Sequence, residues 1–272
     1  MSAKVLRDGR VGSLVEPDDR GLAYGDGVFE TLLVHEGQPV WWREHWNRLL
    51  RGASVLSLPA PDELQVRREC ESLLGKTDRA VLKIILTRGS GGRGYRAPVS
   101  PVATVVVSSH AAPSPVREPI ALRWCGTAIA IQPALAGIKH LNRLEQVLAR
   151  AEWSDPGIFD GLMCDTEDRV VCATSANLFA LVGGRWLTPG VDRCGIAGIA
   201  RAWVLANAPG AAEADLSAAE VSHADALFLC NAVRGILPVS RLGLREWTEH
   251  EAVTGLRRRL AEAQPAFAFG EQ

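Results

Sequence analysis

Lys139 is the residue of this chain best placed to do covalent chemistry. The sequence holds four lysines, and three have ordinary settings. Lys4 is near the N-terminus, Lys76 is in a polar Gly-Lys-Thr-Asp turn, and Lys83 is inside the alternating apolar run Ala80 to Thr87. Lys139 follows a Pro/Ala/Gly segment and precedes a helical pattern, so it stands at an element boundary, where a rigid scaffold often holds reactive groups. An amine desolvated there has a depressed pKa and can form a Schiff base with an aldehyde. A solvated lysine at a helix start is the plain alternative.

Two further stretches suit anions. Gly195 to Arg201 puts two glycines and small residues at a helix start, where free backbone N–H groups and the helix dipole attract phosphate. Close packing explains most such starts. The pattern is neither a Walker A motif nor a dinucleotide fingerprint, because the required Lys-Ser/Thr and the strand-helix-strand frame are missing. The loop Arg88-Gly-Ser-Gly-Gly-Arg93-Gly-Tyr95 carries two arginines that could hold carboxylates; a flexible hairpin tip is the alternative. An aldehyde cofactor that bears a phosphate, pyridoxal phosphate, would use such parts, its ring serving as an electron sink.

Other chemistries find little support. No Gly-x-Ser-x-Gly elbow is present, and the six histidines lack zinc-ligand spacing, so no metal is expected. A net charge of -1 gives no electrostatic case for nucleic acid or an acidic membrane surface. The six cysteines are widely spaced and read as reduced thiols of a cytoplasmic protein. Neither a signal-peptide core nor an 18-residue apolar run is present.

The elements that must position these residues follow from periodicity. With 47% hydrophobic residues, the 272-residue chain can bury one large or two smaller cores. Val28 to Val34 reads as a strand, His35 to Gln38 as a hairpin turn, and Pro39 to Trp42 as the start of a return strand. His45 to Leu56 has helical spacing and carries Arg48, and a second helix runs from about Pro61 to Leu74. Strands are expected at Ala80–Thr87, Pro101–Ser109, Ile120–Trp124, Gly161–Asp165, Val170–Cys172, Asn177–Val182 and Ala224–Cys230. Leu144, Val147, Leu148 and Ala151 make a helix face; further helices open after Gly195 and near Thr248. The fold class is α/β (α+β) with two domains: 1–110, a linker at 111–118, and 119–272.

In order along the chain stand Tyr24-Gly-Asp-Gly-Val-Phe-Glu-Thr31, Glu44-His-Trp-Asn-Arg48-Leu49, Arg88 to Tyr95, and Leu135-Ala-Gly-Ile-Lys139-His-Leu-Asn-Arg-Leu-Glu-Gln-Val147. With Asn177-Leu-Phe179, Gly195 to Arg201 and Cys230-Asn-Ala232, they resemble the fold-type IV pyridoxal-phosphate enzymes, the class IV aminotransferases. The match is strongest to the bacterial aminodeoxychorismate lyases within them. The resemblance implies a smaller N-terminal α/β domain, a larger C-terminal domain with a barrel-like sheet, a homodimer and pyridoxal 5'-phosphate as cofactor.

By position, the resemblance makes Lys139 the cofactor-bearing lysine and proton carrier, and Arg48 a phosphate ligand. Ile199 and Ala200 become backbone donors to the phosphate, Asn231 and Ala232 a second phosphate loop, and Ile196 an apolar residue against the ring. Asn177 belongs to the cofactor-binding motif. Tyr24, Thr31, Arg88, Arg93 and Tyr95 are candidates for substrate contact or loop closure. The implied reaction converts 4-amino-4-deoxychorismate to 4-aminobenzoate and pyruvate, a step toward folate. A D-amino-acid or branched-chain transaminase, and a non-catalytic cofactor-binding protein, are the alternatives. One position departs from the family pattern: Cys172 stands where most members have the glutamate that pairs with the ring nitrogen. A thiol is a weak hydrogen-bonding group, which disfavours transamination more than the lyase.

Overall fold

The computed structural model describes residues 2–268. The chain divides into two compact units, Met1–Pro113 with Ile138–Asn142, and Ser114–Gly137 with Arg143–Gln272. The Lys139 segment thus belongs to the first unit, although both of its flanks belong to the second.

The first unit contains β1 (Ser2–Arg7), β2 (Arg10–Gly12), α1 (Arg20–Tyr24), β3 (Gly27–His35), β4 (Gln38–Pro39), α2 (Trp42–Val55), α3 (Glu63–Leu74), β5 (Ala80–Thr87) and β6 (Thr104–Ala111). Its antiparallel sheet runs β2-β1-β6-β5-β3-β4. Alternation along the strands decides which face is buried. Val28, Leu32 and Val34 of β3 and Leu82, Ile84 and Leu86 of β5 pack with Trp46, Leu49 and Ala53 of α2 and Val66 and Cys70 of α3. Phe29, Thr31, Lys83 and Ile85 alternate with them, which puts these four on the sheet's other face.

The expected return strand at Pro39–Trp42 is replaced: β4 ends at Pro39 and α2 begins at Trp42. Trp41 takes a left-handed conformation (φ 56) as the cap of α2. Trp42 then stacks on Trp46 one turn later, ring centroids 5.9 Å apart, and its indole N–H donates to Glu63. The helix therefore starts three residues before the His45 that the spacing marks. A one-turn helix, α1, forms before β3, capped by the Asp19 carboxylate and closed by Gly25 at φ 65.

The second unit contains β7 (Ile120–Trp124), α4 (Leu144–Arg150), β8 (Asp160–Cys164), β9 (Val170–Ala173), β10 (Asn177–Val182), β11 (Arg185–Pro189), α5 (Ile199–Asn207), β12 (Ala212–Ala214), α6 (Ala218–His223), β13 (Ala226–Asn231), β14 (Gly235–Leu242), β15 (Arg245–Glu246) and α7 (Glu251–Ala263). The sheet runs β12-β11-β10-β13-β14-β7-β8-β9, with β15 on β14. The terminal strand β9 returns against β10 and β11, so this sheet curls on itself in the barrel-like manner expected. Its core includes Leu122, Leu162, Leu178, Leu229, Leu237 and Trp247. The α4 face reads differently from its apolar pattern: Leu144, Val147 and Leu148 are 75%, 60% and 60% exposed, and Ala149 is the residue that packs inward. Among the described residues, no helix is long and apolar enough to cross a membrane.

Candidate active site

Lys139 is positioned by a short antiparallel pairing with the free edge of β3. The Phe29 amide donates to the Lys139 carbonyl and the Leu141 amide to the Gly27 carbonyl, both at 2.9 Å, with His140 opposite Val28. Because side chains alternate across a strand, Lys139 shares the face of Phe29 and His140 the face of Val28. The Lys139 Nζ accordingly lies 4.2 Å from the centroid of the Phe29 ring. Glycine is required along this edge. A Cβ on Gly27 would meet the Leu86 carbonyl oxygen at 2.4 Å, and Gly25, at φ 65, backs onto the Asn142 side chain.

The helical side of β3 carries a buried ionic cluster that motif reading passed over. Glu30, 1% exposed, accepts from Arg48 Nε at 2.7 Å, Arg48 Nη2 at 2.6 Å and His45 Nδ1 at 2.6 Å. Burial alone would raise the Glu30 pKa. The charge and hydrogen bonds of Arg48, with His45 added, reverse this and hold it at about 2. Burial pushes His45 below its ordinary value against the pull of Glu30, and the charges of Arg48 and Lys139 act in the same direction as burial. His45 is thus neutral, and its contact with an ionised carboxylate fixes the proton on Nδ1. The signal was in the sequence: Glu30 is a charge on the core-facing phase of an otherwise apolar strand. Arg48, expected to hold a phosphate, is oriented here by a two-pronged bond to Glu30.

The glycine loop is anchored by arginines. Arg88, a candidate substrate contact, donates from Nε and Nη2 to the Asp26 carboxylate at 2.7 and 3.0 Å. Its Nη1 and Nη2 also reach the carbonyls of Ser57 and Leu56 at 2.8 and 2.6 Å. Arg20, buried, bonds Asp26 at 2.8 Å and the carbonyls of Gly94 and Tyr95 at 3.0 and 2.9 Å. Together these arginines hold the Asp26 carboxyl below the usual carboxylate range against the effect of burial. Tyr24 and Tyr95 meet edge to face at 5.5 Å, and the Tyr24 hydroxyl accepts from the Gly94 amide at 3.2 Å. Arg93 and Tyr95 are exposed. Arg20 was not singled out from sequence; a buried arginine so near the chain start has no local pattern to mark it.

In the second unit, Asn177 donates to the Ile196 carbonyl at 3.0 Å. Gly137 pairs alongside Ile196, its amide donating to Gly195 and its carbonyl accepting from Ala197, both at 3.0 Å. Gly198 caps α5 without any side-chain cap. A Cβ there would stand 2.0 Å from Asn177 Oδ1, so the Asn177 side chain or the helix start would have to shift. Ile199 and Ala200, 8% and 2% exposed, begin the helix. Among the described residues nothing accepts from their amides. A buried helix start with open amides and positive dipole end fits a phosphate. Asn231 accepts from the Val233 and Arg234 amides at 3.0 and 2.8 Å, which shapes the turn that holds Ala232.

Cys172 lies on β9 opposite Met163. Burial, reinforced by Asp160 and Cys194 and only partly opposed by Arg143, pushes its thiol up to about 12. Cys172 is therefore a neutral thiol. Arg143 is depressed by its own burial, with Cys172 and then Glu145 acting against that. Asp160, also unmarked by sequence, gathers the loop after β9. It accepts from the Gly161 and Thr174 amides at 2.8 and 3.1 Å and from the Ser175 hydroxyl at 2.7 Å.

A family model described as Amino-transferase class IV matches residues 27–242. The chain belongs to this family. Pyridoxal phosphate is the family's cofactor. The chain is 34% identical over 250 residues to the aminodeoxychorismate lyase of Vibrio harveyi, covering 89% of this chain and 92% of that protein. The crystal structure of 4-amino-4-deoxychorismate lyase from Pseudomonas aeruginosa matches with a TM-score of 0.87 at 41% identity, over 96% of this chain and 99% of that one. A hypothetical aminotransferase from Mycobacterium tuberculosis in its PLP-bound form shares the fold, with a TM-score of 0.77 at 22% identity over 98% of this chain and 99% of that one.

Proposed function

We propose that the chain is a pyridoxal-phosphate-dependent lyase that converts 4-amino-4-deoxychorismate to 4-aminobenzoate and pyruvate, a step toward folate. Similarity to two lyases of that name at 34% and 41% identity, over most of each chain, carries this reading. The cofactor, when bound, supplies an aldehyde that takes the substrate amine and a ring that withdraws electrons. Lys139 would hold the cofactor through its Nζ. Its free amine then removes the proton from the amine-bearing carbon as general base. The adjacent carbon–oxygen bond breaks, the ring becomes aromatic, and Lys139 returns a proton to the departing enolpyruvate, which becomes pyruvate. No net redox change is needed.

Within the second unit, the amides of Ile199 and Ala200 would bind the phosphate, with the Asn231–Ala232 turn as a second contact; within the first, Arg48, aimed by Glu30, is the cation that the resemblance gives to the phosphate. Ile196 would pack on the ring, and Asn177 holds the Ile196 carbonyl. Thr31 faces the substrate, and Arg88 holds Asp26 so that Tyr24, Arg93 and Tyr95 can close over it. Cys172, a neutral thiol, would offer the ring nitrogen no anion. This favours an elimination driven by aromatisation over transamination, which must return a proton to another carbon. The exposed apolar face of α4 supports a homodimer, and six free thiols support a cytoplasmic setting. The test is a direct comparison of 4-aminobenzoate release with amino-group transfer from D-alanine or leucine to 2-oxoglutarate. Faster transfer than release would make the enzyme a transaminase.

A further inference from the structure

Asp160 opens β8 as a buried carboxylate, 3% exposed. Its Oδ1 accepts from the Gly161 amide at 2.8 Å, the Thr174 amide at 3.1 Å and the Thr174 hydroxyl at 2.5 Å, and its Oδ2 accepts from the Ser175 hydroxyl at 2.7 Å. All four donors are neutral. Three of the bonds come from one turn, residues 173–177, which the Ala173 amide closes on the Ala176 carbonyl at 2.9 Å. Ser175 is exposed, yet its hydroxyl is turned in toward Asp160.

The same turn reaches outward to two segments of the second unit. The Ser175 carbonyl accepts from Asn231 Nδ2 at 3.3 Å. Asn231 Oδ1 in turn accepts from the Val233 and Arg234 amides, so the turn that holds Ala232 hangs on Ser175. Two residues on, Asn177 donates to the Ile196 carbonyl at 3.0 Å, and its Oδ1 lies against Gly198, the cap of α5. Asp160 bonds neither segment directly. Through residues 174–177 it braces both. The strand itself does not call for a carboxylate here, since Leu162 and Met163, its next side chains, are apolar and fully buried. A buried carboxylate is tolerated only where donors satisfy it. In return it gives each of those donors a fixed direction.

We propose that Asp160 is a positioning residue for phosphate binding. By holding the Thr174–Ser175 turn, it sets the Asn231–Ala232 turn and the Ile199–Ala200 amides at the separation one phosphate spans. This rests on the reading of those two segments as phosphate contacts. Asp160 touches neither the phosphate nor the reacting atoms, and no bond is made or broken at it. An aldehyde without a phosphate makes no use of the braced segments, which separates this role from general support of the fold.

The test compares pyridoxal 5'-phosphate with pyridoxal, the same aldehyde without the phosphate. Each is titrated by absorbance into the full chain freed of cofactor, as wild type, Asp160→Ala, Asp160→Asn and Ser175→Ala. In Asp160→Ala the phosphate-bearing aldehyde should bind roughly tenfold more weakly, while the affinity for pyridoxal changes by less than about twofold. Asp160→Asn keeps the Oδ1 acceptor, and its amide can donate to the Ser175 oxygen, so it should recover most of the loss. Ser175→Ala removes one hydroxyl and should show a smaller loss, again confined to the phosphate-bearing aldehyde. Equal weakening of both aldehydes, or weakening of neither, would overturn the proposal. Where urea denaturation shows that Asp160→Ala does not fold, Ser175→Ala decides by the same ratio. A wild type that binds the two aldehydes equally removes the phosphate reading of these segments and the role of Asp160 with it. A wild type that prefers the phosphate-bearing aldehyde, with that preference intact in Asp160→Ala, removes Asp160 only.

Discussion

Replacing Glu30 by glutamine should destabilise the first unit by several kilocalories per mole. The carboxylate is 1% exposed and accepts three charge-assisted or strong hydrogen bonds from Arg48 and His45. Its pKa falls from 4.5 to about 2 despite burial, which opposes that fall. At 1.36 kcal/mol per unit, the shift corresponds to about 3 kcal/mol of extra stabilisation of the charged form. Removing one partner of a buried pair costs roughly 3–5 kcal/mol by a separate route, because the remaining charge is stranded. The two figures agree, and Glu30→Gln takes the buried counter-charge away from Arg48. Because the folded pKa lies below the unfolded one, the contribution is complete above about pH 4.5 and is lost as pH falls toward 2. The assay is urea denaturation from about pH 2.5 to 7, with the slope of the transition monitored. Glu30→Gln should show a loss of about 3 kcal/mol at neutral pH and a flatter acid limb than the wild type. A loss under about 1 kcal/mol, or parallel acid limbs, would refute the account of this cluster.

Three further outcomes follow from the second unit. Gly198→Ala forces a Cβ to within 2.0 Å of Asn177 Oδ1, so Asn177 or the α5 start must move. Pyridoxal-phosphate affinity by equilibrium dialysis should drop at least about tenfold, or about 1.4 kcal/mol. The Cys172 thiol sits at about 12 against an ordinary 9.0, so its alkylation by iodoacetamide near pH 8 should be about a thousandfold slower folded than in urea. Comparable rates would show a reactive thiolate. Cys172→Glu puts a carboxylate, beside Arg143, where the resemblance sets the partner of the ring nitrogen. Amino-group transfer relative to lyase turnover should rise roughly tenfold, the worth of one pKa unit of interaction; an unchanged ratio would separate Cys172 from reaction choice.

Periodicity carried much of the framework. Ala80–Thr87 and Ile120–Trp124 form strands with the expected bounds, because alternation and β-branched content agree there. Trp42 was misread, since a hairpin turn predicts a return strand and only the stacking on Trp46 shows a helix. Pairing of the Lys139 segment with β3 joins residues over a hundred positions apart, which no local pattern encodes. Lys83 shows the same limit from the other side. Alternation explained it as a strand residue, whereas the register places it on the Phe29 face. Glu30 was legible as a charge on the core-facing phase of an apolar strand. The Asp26 network was not, because Arg20 and Arg88 meet only after folding.

The most direct measurement is coupled formation of 4-aminobenzoate and pyruvate from purified 4-amino-4-deoxychorismate by the holoenzyme, with Lys139→Ala in parallel. The wild type should release the two products in equal amounts, and Lys139→Ala should release neither at a comparable rate while losing the cofactor's lysine-bound absorbance. Undiminished turnover by Lys139→Ala, or its retention of that absorbance, would contradict the role assigned to Lys139.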